Sequence, residues 1–429
     1  MSRRKKTRGF TSGYSNSANT SAHRLILENL EALARILTAE QGKPLSESRT
    51  EIAYAASFVE WFSEEAKRIY GDVIAAQSTE QRILVLKQPI GVCVAITPWN
   101  FPAAMITRKA AAALAAGCTL VIKPASQTPL TAFALCELAV RAGIPPGVLS
   151  CITGSASEIG DELTTNPLVK KLSFTGSTEI GKKLLAQCAS TVKATSMELG
   201  GNAPFIVFED ANLDRAVEGA IASKFRNSGQ TCVCSNRFLI HEKVYEPFLK
   251  KMTAATAALR VGNGFDPETQ IGPLIDKAAV KNIQSMLADA VSKGAKILVG
   301  GKASSLGETF FEPTVLSDAT PDMQVFQEEI FGPVAPIATF KSEADAIQLA
   351  NSTPYGLAAY FYGQDLNRIF RVAEALEYGM IGINESRIST EVAPFGGIKQ
   401  SGHGREGSKY GINDYIEIKY LCMGGIRHS

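Results

Sequence analysis

Leu27, Leu30, Leu33 and Leu37 fall at helical spacing, and Gly42-Lys43-Pro44 follows as a stop, which predicts one helix from about Leu25. A second helix is expected from Ser46 to Ile69. From Val92 the pattern changes to short apolar runs at 92–96, 120–122, 148–152, 171–174 and 205–208. Ala-rich helical stretches at 103–116, 129–142, 156–164 and 178–190 lie between them. Strands alternating with helices argue for parallel βαβ units and a doubly wound sheet. A second alternation follows Gly229, with helices near 243–258, 276–293 and 343–350 and strands near 236–240, 312–316 and 379–383. The expectation is therefore an α/β protein of two halves that meet between Glu198 and Cys232.

Charge and composition narrow the function. The 429 residues carry 44 basic and 42 acidic side chains, a net +2, so no basic face for nucleic acid is expected. The run from Ala110 to Ile122, bracketed by Lys109 and Lys123, falls short of the roughly 20 residues that span a bilayer. Eight cysteines are scattered thinly, which fits reduced thiols rather than a disulfide framework or a zinc site. No metal is expected. Only four histidines occur, so a catalytic base is sought among carboxylates. The first 24 residues hold Arg3, Arg4, Lys5, Lys6, Arg8 and Arg24, and no acid precedes Glu28. That composition is shared with transit peptides, but Phe10 and Tyr14 make no apolar stripe. Residues 1–24 read as a disordered basic tail. The expected compartment is the cytoplasm, with the mitochondrial matrix as the alternative.

Four segments carry candidate chemistry. In Gly229-Gln-Thr-Cys232-Val-Cys234 a thiol follows a turn where it can be presented as a nucleophile; a buried, inert cysteine is the commoner fate. Glu198 precedes Leu-Gly200-Gly201 at a strand end, where burial would make it a general base and a solvated edge would leave it idle. Trp99 and Asn100 lie in Thr-Pro-Trp-Asn-Phe-Pro after a strand; the Asn100 amide suits an oxyanion, and a packed, Pro-bounded turn explains the motif equally. Gly176-Ser177 opens a helix where backbone N–H groups could meet pyrophosphate. Lys123-Pro-Ala-Ser126 follows another strand, and no acid occurs from Lys123 until Glu137. That absence favours NADP over NAD, because an acid near the ribose selects against a 2′-phosphate.

In combination these segments, with Glu329-Ile-Phe331-Gly-Pro333 and Pro394-Phe-Gly-Gly-Ile-Lys399, resemble the aldehyde dehydrogenase superfamily, and closely its bacterial-type succinate-semialdehyde dehydrogenases. The resemblance runs from about Leu25 to the C-terminus, and the first 24 residues depart from it. It implies Cys232 as nucleophile, Glu198 as the base that activates water, and Asn100 with the Cys232 N–H as oxyanion hole. Trp99, Lys123, Ser126, Gly176, Ser177, Glu329 and Phe331 would bind NADP or NAD. Arg108, Arg226 and Ser389 would grip a substrate carboxylate, a task for which guanidinium is suited. Cys234 would close a reversible disulfide on Cys232, with a second buried thiol as the alternative.

The resemblance also implies a division of the chain. Residues 25–69 and 89–201 would bind the cofactor, 202–396 would carry catalysis, and 70–88 with 412–429 would form an arm for a homotetramer or homodimer. The expected reaction is oxidation of succinate semialdehyde to succinate through a thiohemiacetal and a thioester. Glutarate semialdehyde is the alternative substrate. A catalytically impaired protein of this fold and a cofactor-free cysteine hydrolase are the competing readings.

Overall fold

The computed structural model describes residues 12–426, with side chains from residue 18 onward. Among these residues the strands form three sheets. In the first, strand Val92–Ile96 lies between Thr119–Lys123 and Val169–Thr175, with Leu149–Cys151 outside the former and Ala194–Glu198 outside the latter. All these pairs are parallel. The short Gly402–His403 strand then closes the edge antiparallel, opposite Glu198 and Met197. In the second sheet Ala203–Val207 and Ser235–His241 run side by side, flanked by Ala358–Tyr362 and Val334–Phe340. Met380–Ile383, Thr314–Ser317 and an antiparallel Lys296–Val299 complete it. The third sheet is an antiparallel ribbon of Asp72–Ile74, Arg82–Pro89 and Ile416–Met423.

The expected alternation is present in both halves, because short strands buried on both faces leave continuous apolar runs. Strand Ala203–Val207 is buried at every position, as its unbroken run required. Several elements were not foreseen. Val334–Phe340 carries Pro336 opposite Leu316 in its ladder, and proline argues against a central strand. Ala358–Tyr362 reads as an aromatic patch, and helix Leu366–Ala375 buries only Val372.

The N-terminal reading is corrected for residues 12–24. A helix spans Ser12–Glu28, where a disordered tail was expected; residues 1–11 lie outside the described residues. Ala18, Ala22, Leu25 and Ile26 are buried on one side of it and join the core of the first half. Small alanines let the helix backbone approach its neighbours, so a Ser/Asn-rich segment hides an apolar stripe. The break from the next helix falls at Asn29, and helix Leu30–Gln41 ends at Gly42 in the left-handed conformation (φ 95°). That is the αL cap the Gly-Lys-Pro stop anticipated.

Candidate active site

Parallel strands deliver their C-terminal ends to one side of a sheet, and the following turns are free to present side chains. Thr97–Pro102 is such a turn, between strand Val92–Ile96 and helix Ala104–Ala115. Asn100 is buried there. Its Nδ2 donates to the Gln230 carbonyl at 3.0 Å, which ties the turn to the loop bearing Cys232. Trp99 meets the Phe331 ring edge-on, with centroids 5.5 Å apart, and Phe331 itself sits at φ +50°.

The Cys232 loop is held in an unusual backbone conformation. Asn227, Ser228 and Gly229 all have positive φ (50°, 56° and 76°), a costly run for two residues with a Cβ. Side chains over-determine it. Gln41 donates to Asn227 Oδ1 at 3.0 Å, Asn227 Nδ2 donates to the Asn100 and Gln230 carbonyls at 3.0 and 3.2 Å, and Ser228 Oγ donates to the Gly272 carbonyl at 2.8 Å. At Gly229 a Cβ would lie 2.2 Å from the Gly332 carbonyl oxygen. Cys232 is half-buried at the end of this loop. Burial, with the charges of Glu329 and Glu198, pushes its thiol up to about 12, against the opposing pull of Arg108 and Arg226.

Glu198 ends strand Ala194–Glu198 and is only 3% exposed. The solvated-edge alternative is therefore excluded, because Gly402–His403 covers that side. Neither carboxylate oxygen has a hydrogen-bond partner. Burial and the neighbouring Glu406 push its pKa well above the ordinary carboxylate value, while Arg108, Lys109 and Arg405 oppose them. The following glycines are sites of close approach. A Cβ on Gly201 would lie 2.4 Å from the Cys232 carbonyl oxygen, and one on Gly200 would lie 2.7 Å from Glu329 Oε2. Gly201 N–H donates to Glu329 Oε1 at 3.1 Å. Burial raises Glu329 to about 7, with that bond and Lys224 acting against it.

Glu406, in Gly404-Arg-Glu-Gly-Ser408, was not anticipated from sequence. It pairs with Arg108 Nε at 2.7 Å and with Lys109 Nζ, and Lys109 also donates to Thr175 Oγ1 at 2.7 Å. Burial works against its ionisation, but Lys109 and Arg108 overcome it and hold Glu406 below the usual carboxylate range. Two carboxylates with opposite shifts thus sit in one site. Nothing local in the sequence joins Lys109 to a partner 297 positions away.

The carboxylate-gripping candidates have different surroundings. Arg108 is buried against Glu406, with its guanidinium 3.9 Å over the Phe395 ring. Arg226 is exposed and lies 5.2 Å over the Phe101 ring. Ser389 is half-buried on the segment after strand Met380–Ile383. Tyr54, also unanticipated, has a buried hydroxyl with no partner, and burial raises its pKa against the opposing Arg108 and Arg226.

On the first sheet Lys123 donates to the Pro124 carbonyl at 3.2 Å, and burial lowers its pKa with no carboxylate offsetting the effect. Ser126 is exposed nearby in sequence. Glu40 reaches the start of the helix that follows this turn, and both its oxygens are taken by the Leu130 and Thr131 N–H groups at 2.8 and 2.9 Å. Ser177 caps helix Thr178–Cys188 by accepting from Ile180 N–H, and a Cβ on Gly176 would strike the Phe174 ring at 2.4 Å. Cys234 is buried, its Sγ directed to the Lys224 and Ser235 carbonyls at 3.4 and 3.6 Å.

The model of the aldehyde dehydrogenase family matches residues 17–421. A glutarate-semialdehyde dehydrogenase of Pseudomonas aeruginosa is 64% identical over 402 residues, covering 94% of this chain and 83% of the relative. An NADP(+) succinate-semialdehyde dehydrogenase of Escherichia coli is 62% identical over 400 residues, 93% of this chain and 83% of the relative. The crystal structure of succinate-semialdehyde dehydrogenase from Burkholderia pseudomallei superposes with a TM-score of 0.96 at 59% identity, covering 96% of this chain and 86% of that one. With the thiol loop, the buried carboxylate and the Asn100 turn converging as described, this chain belongs to the aldehyde dehydrogenase family.

Proposed function

We propose that the protein oxidises succinate semialdehyde to succinate, with NADP as the preferred nicotinamide cofactor. The observation that carries the reading is Glu198. A carboxylate with no hydrogen-bond partner, buried within the electrostatic reach of a nucleophilic thiol, suits a base that must take a proton from water. Cys232 releases its proton to solvent and adds as the thiolate to the aldehyde carbon, and the alkoxide that develops is received by the Asn100 amide and the Cys232 N–H. When bound, the nicotinamide supplies the hydride acceptor. Cys232 then holds the acyl group as a thioester, and Glu198 deprotonates the water that hydrolyses it. The cofactor-free hydrolase reading gives no role to the Lys123 turn.

The residues suit the cofactor. Lys123 has no acid offsetting its burial, the Ser177-capped helix offers free N–H groups, and Glu40 is occupied elsewhere. Trp99, Lys123, Ser126, Gly176 and Ser177 would hold the dinucleotide, with Glu329 and Phe331 at its nicotinamide end. Arg226, exposed and unburdened by the Glu406 pair, is the principal contact for the substrate carboxylate, with Arg108 and Ser389 as further donors. A reducing compartment such as the cytoplasm suits the free cysteines. The ribbon at 70–88 and 412–429 would serve as the oligomerisation arm; residues 427–429 lie outside the described residues. Val73, Ile74, Ile418 and Tyr420 are exposed along it, an apolar edge that a second copy would cover.

The test follows absorbance at 340 nm with succinate semialdehyde and, separately, NADP and NAD, using Cys232→Ala as the blank. Cysteine-dependent reduction that is faster with NADP is expected. Soluble protein that turns over glutarate semialdehyde but not succinate semialdehyde would reassign the substrate; the two differ by one methylene, worth about 1–3 kcal/mol of discrimination.

A further inference from the structure

Glu47 and Glu51 lie one turn apart on one side of helix Leu45–Glu65, and Lys43, four residues before Glu47, sits just ahead of its first turn and continues their line through its contacts. Such a charged line belongs on a solvated face, yet here it points inward. The side chains of Lys43 and Glu51 are 0% and 1% exposed, and they pair at 2.6 Å. Each of the three residues also holds the backbone of an active-site segment. Lys43 Nζ donates to the Asn100 carbonyl at 2.7 Å. Glu47 Oε2 accepts from Asn227 N–H at 2.9 Å, within the positive-φ run. Glu51 Oε1 accepts from Ala103 and Ala104 N–H at 2.9 and 3.3 Å, where the helix bearing Arg108 and Lys109 begins. The ammonium of Lys43 has three donors. Two are placed on Glu51 and Asn100, and the group lies 3.9 Å over the Phe101 ring.

A buried ion pair is a poor way to gain stability, since well-packed apolar side chains do as well or better. It does fix direction. The Asn100 carbonyl accepts from both Lys43 and Asn227, and Asn227 is held in turn by Glu47. From this geometry we propose that the Lys43–Glu47–Glu51 line is a positioning element for the addition step. It locks the turn that presents the Asn100 amide to the loop that presents Cys232, so that oxyanion donor and nucleophile keep one relative placement. The inference rests on Asn100 being an oxyanion donor.

The experiment uses Lys43→Met/Glu51→Gln, which removes both buried charges together while the new side-chain amide can still accept from the Ala103 N–H. Turnover of succinate semialdehyde with NADP is compared with the rate at which iodoacetamide alkylates Cys232, a reaction that needs no oxyanion donor. Loss of one such donor costs roughly a hundredfold or more, and its misplacement should cost about tenfold in kcat. KM and the alkylation rate should stay within about twofold, and the double substitution should add nothing to Asn100→Ala. Unchanged kcat overturns the inference, as does a loss that multiplies with that of Asn100→Ala, or alkylation that falls in step with turnover. If Asn100→Ala turns over normally, the oxyanion reading itself fails and the inference falls with it. Glu47→Ala, which removes the acceptor of the Asn227 N–H, probes the same line without touching the ion pair. Its loss of kcat should also vanish in the Asn100→Ala background, and a normal kcat would count against the proposal should the double variant not fold.

Discussion

Glu198→Gln should make the protein more stable while abolishing turnover, and the gain should grow with pH. In the folded chain both Glu198 oxygens lack partners, and burial with Glu406 nearby holds its pKa well above the ordinary 4.5. In the unfolded chain Glu198 ionises near that ordinary value. At any pH between the two, the folded state retains a proton that the unfolded state has released, so raising the pH favours unfolding. The slope is about 1.4 kcal/mol per pH unit for one proton, and it ends once the pH exceeds the folded pKa. Gln is nearly isosteric and does not titrate, so it escapes this loss. With an unfolding entropy of about 2.1 cal/mol/K per residue, the advantage of Gln should widen by about 1.5 °C per pH unit. Scanning calorimetry of both proteins without cofactor, at pH 5.5, 6.5 and 7.5, measures the gap. A gap that is absent at all three pH values, or one that closes as pH rises, would mean that Glu198 is ionised and compensated in the folded protein, and the argument from burial would be wrong.

Three further outcomes follow from the same geometry. With the Cys232 thiol raised to about 12, alkylation of the free protein should climb about tenfold per pH unit from 7 to 10; a plateau near pH 9 would contradict the burial of the thiol. Glu406→Gln strips the anion from buried Arg108 and Lys109 and should cost about 3–5 kcal/mol, seen as a melting point lower by roughly 3–6 °C. An unchanged melting point would show that the pairs contribute nothing. Ser126→Glu places a carboxylate where the 2′-phosphate is proposed to sit and should raise the KM for NADP about tenfold while sparing NAD; equal effects on both cofactors would refute that placement.

What was legible in the sequence was local. Strands and the turns that follow them leave apolar runs and Gly, Pro or Asn punctuation close together, so the Asn100, Glu198 and Cys232 segments stood out. The helix stop at Gly42 was equally plain. The N-terminal helix was missed because its buried stripe is built from Ala18 and Ala22, residues too small to register as apolar among serines and asparagines. Strand Val334–Phe340 was missed because its proline suggests an edge, whereas here the strand is central.

The environment of the site was far less visible, and for a different reason. The protonation state of Glu198 depends on Glu406, which reaches it from a distant part of the chain, and Arg108 and Lys109 in turn set the charge of Glu406. A motif records which groups take part, but a pKa is decided by whatever charge and low-dielectric surface the fold brings alongside. The same holds for Arg108, whose chemistry as an isolated arginine favours a substrate carboxylate and whose folded partner is Glu406. Lys43, Glu47 and Glu51 were the exception that could have been read. A charged line at four-residue spacing is ordinarily a solvated face. With about 3.6 residues per turn, however, Phe58 and Phe62 fall on the same side of this helix as Glu47 and Glu51, and both rings are buried. The apolar stripe and the charged line therefore share one surface, and a charged line that is drawn inward must find fixed partners. Those partners are the backbones of the turns that present Asn100 and Cys232.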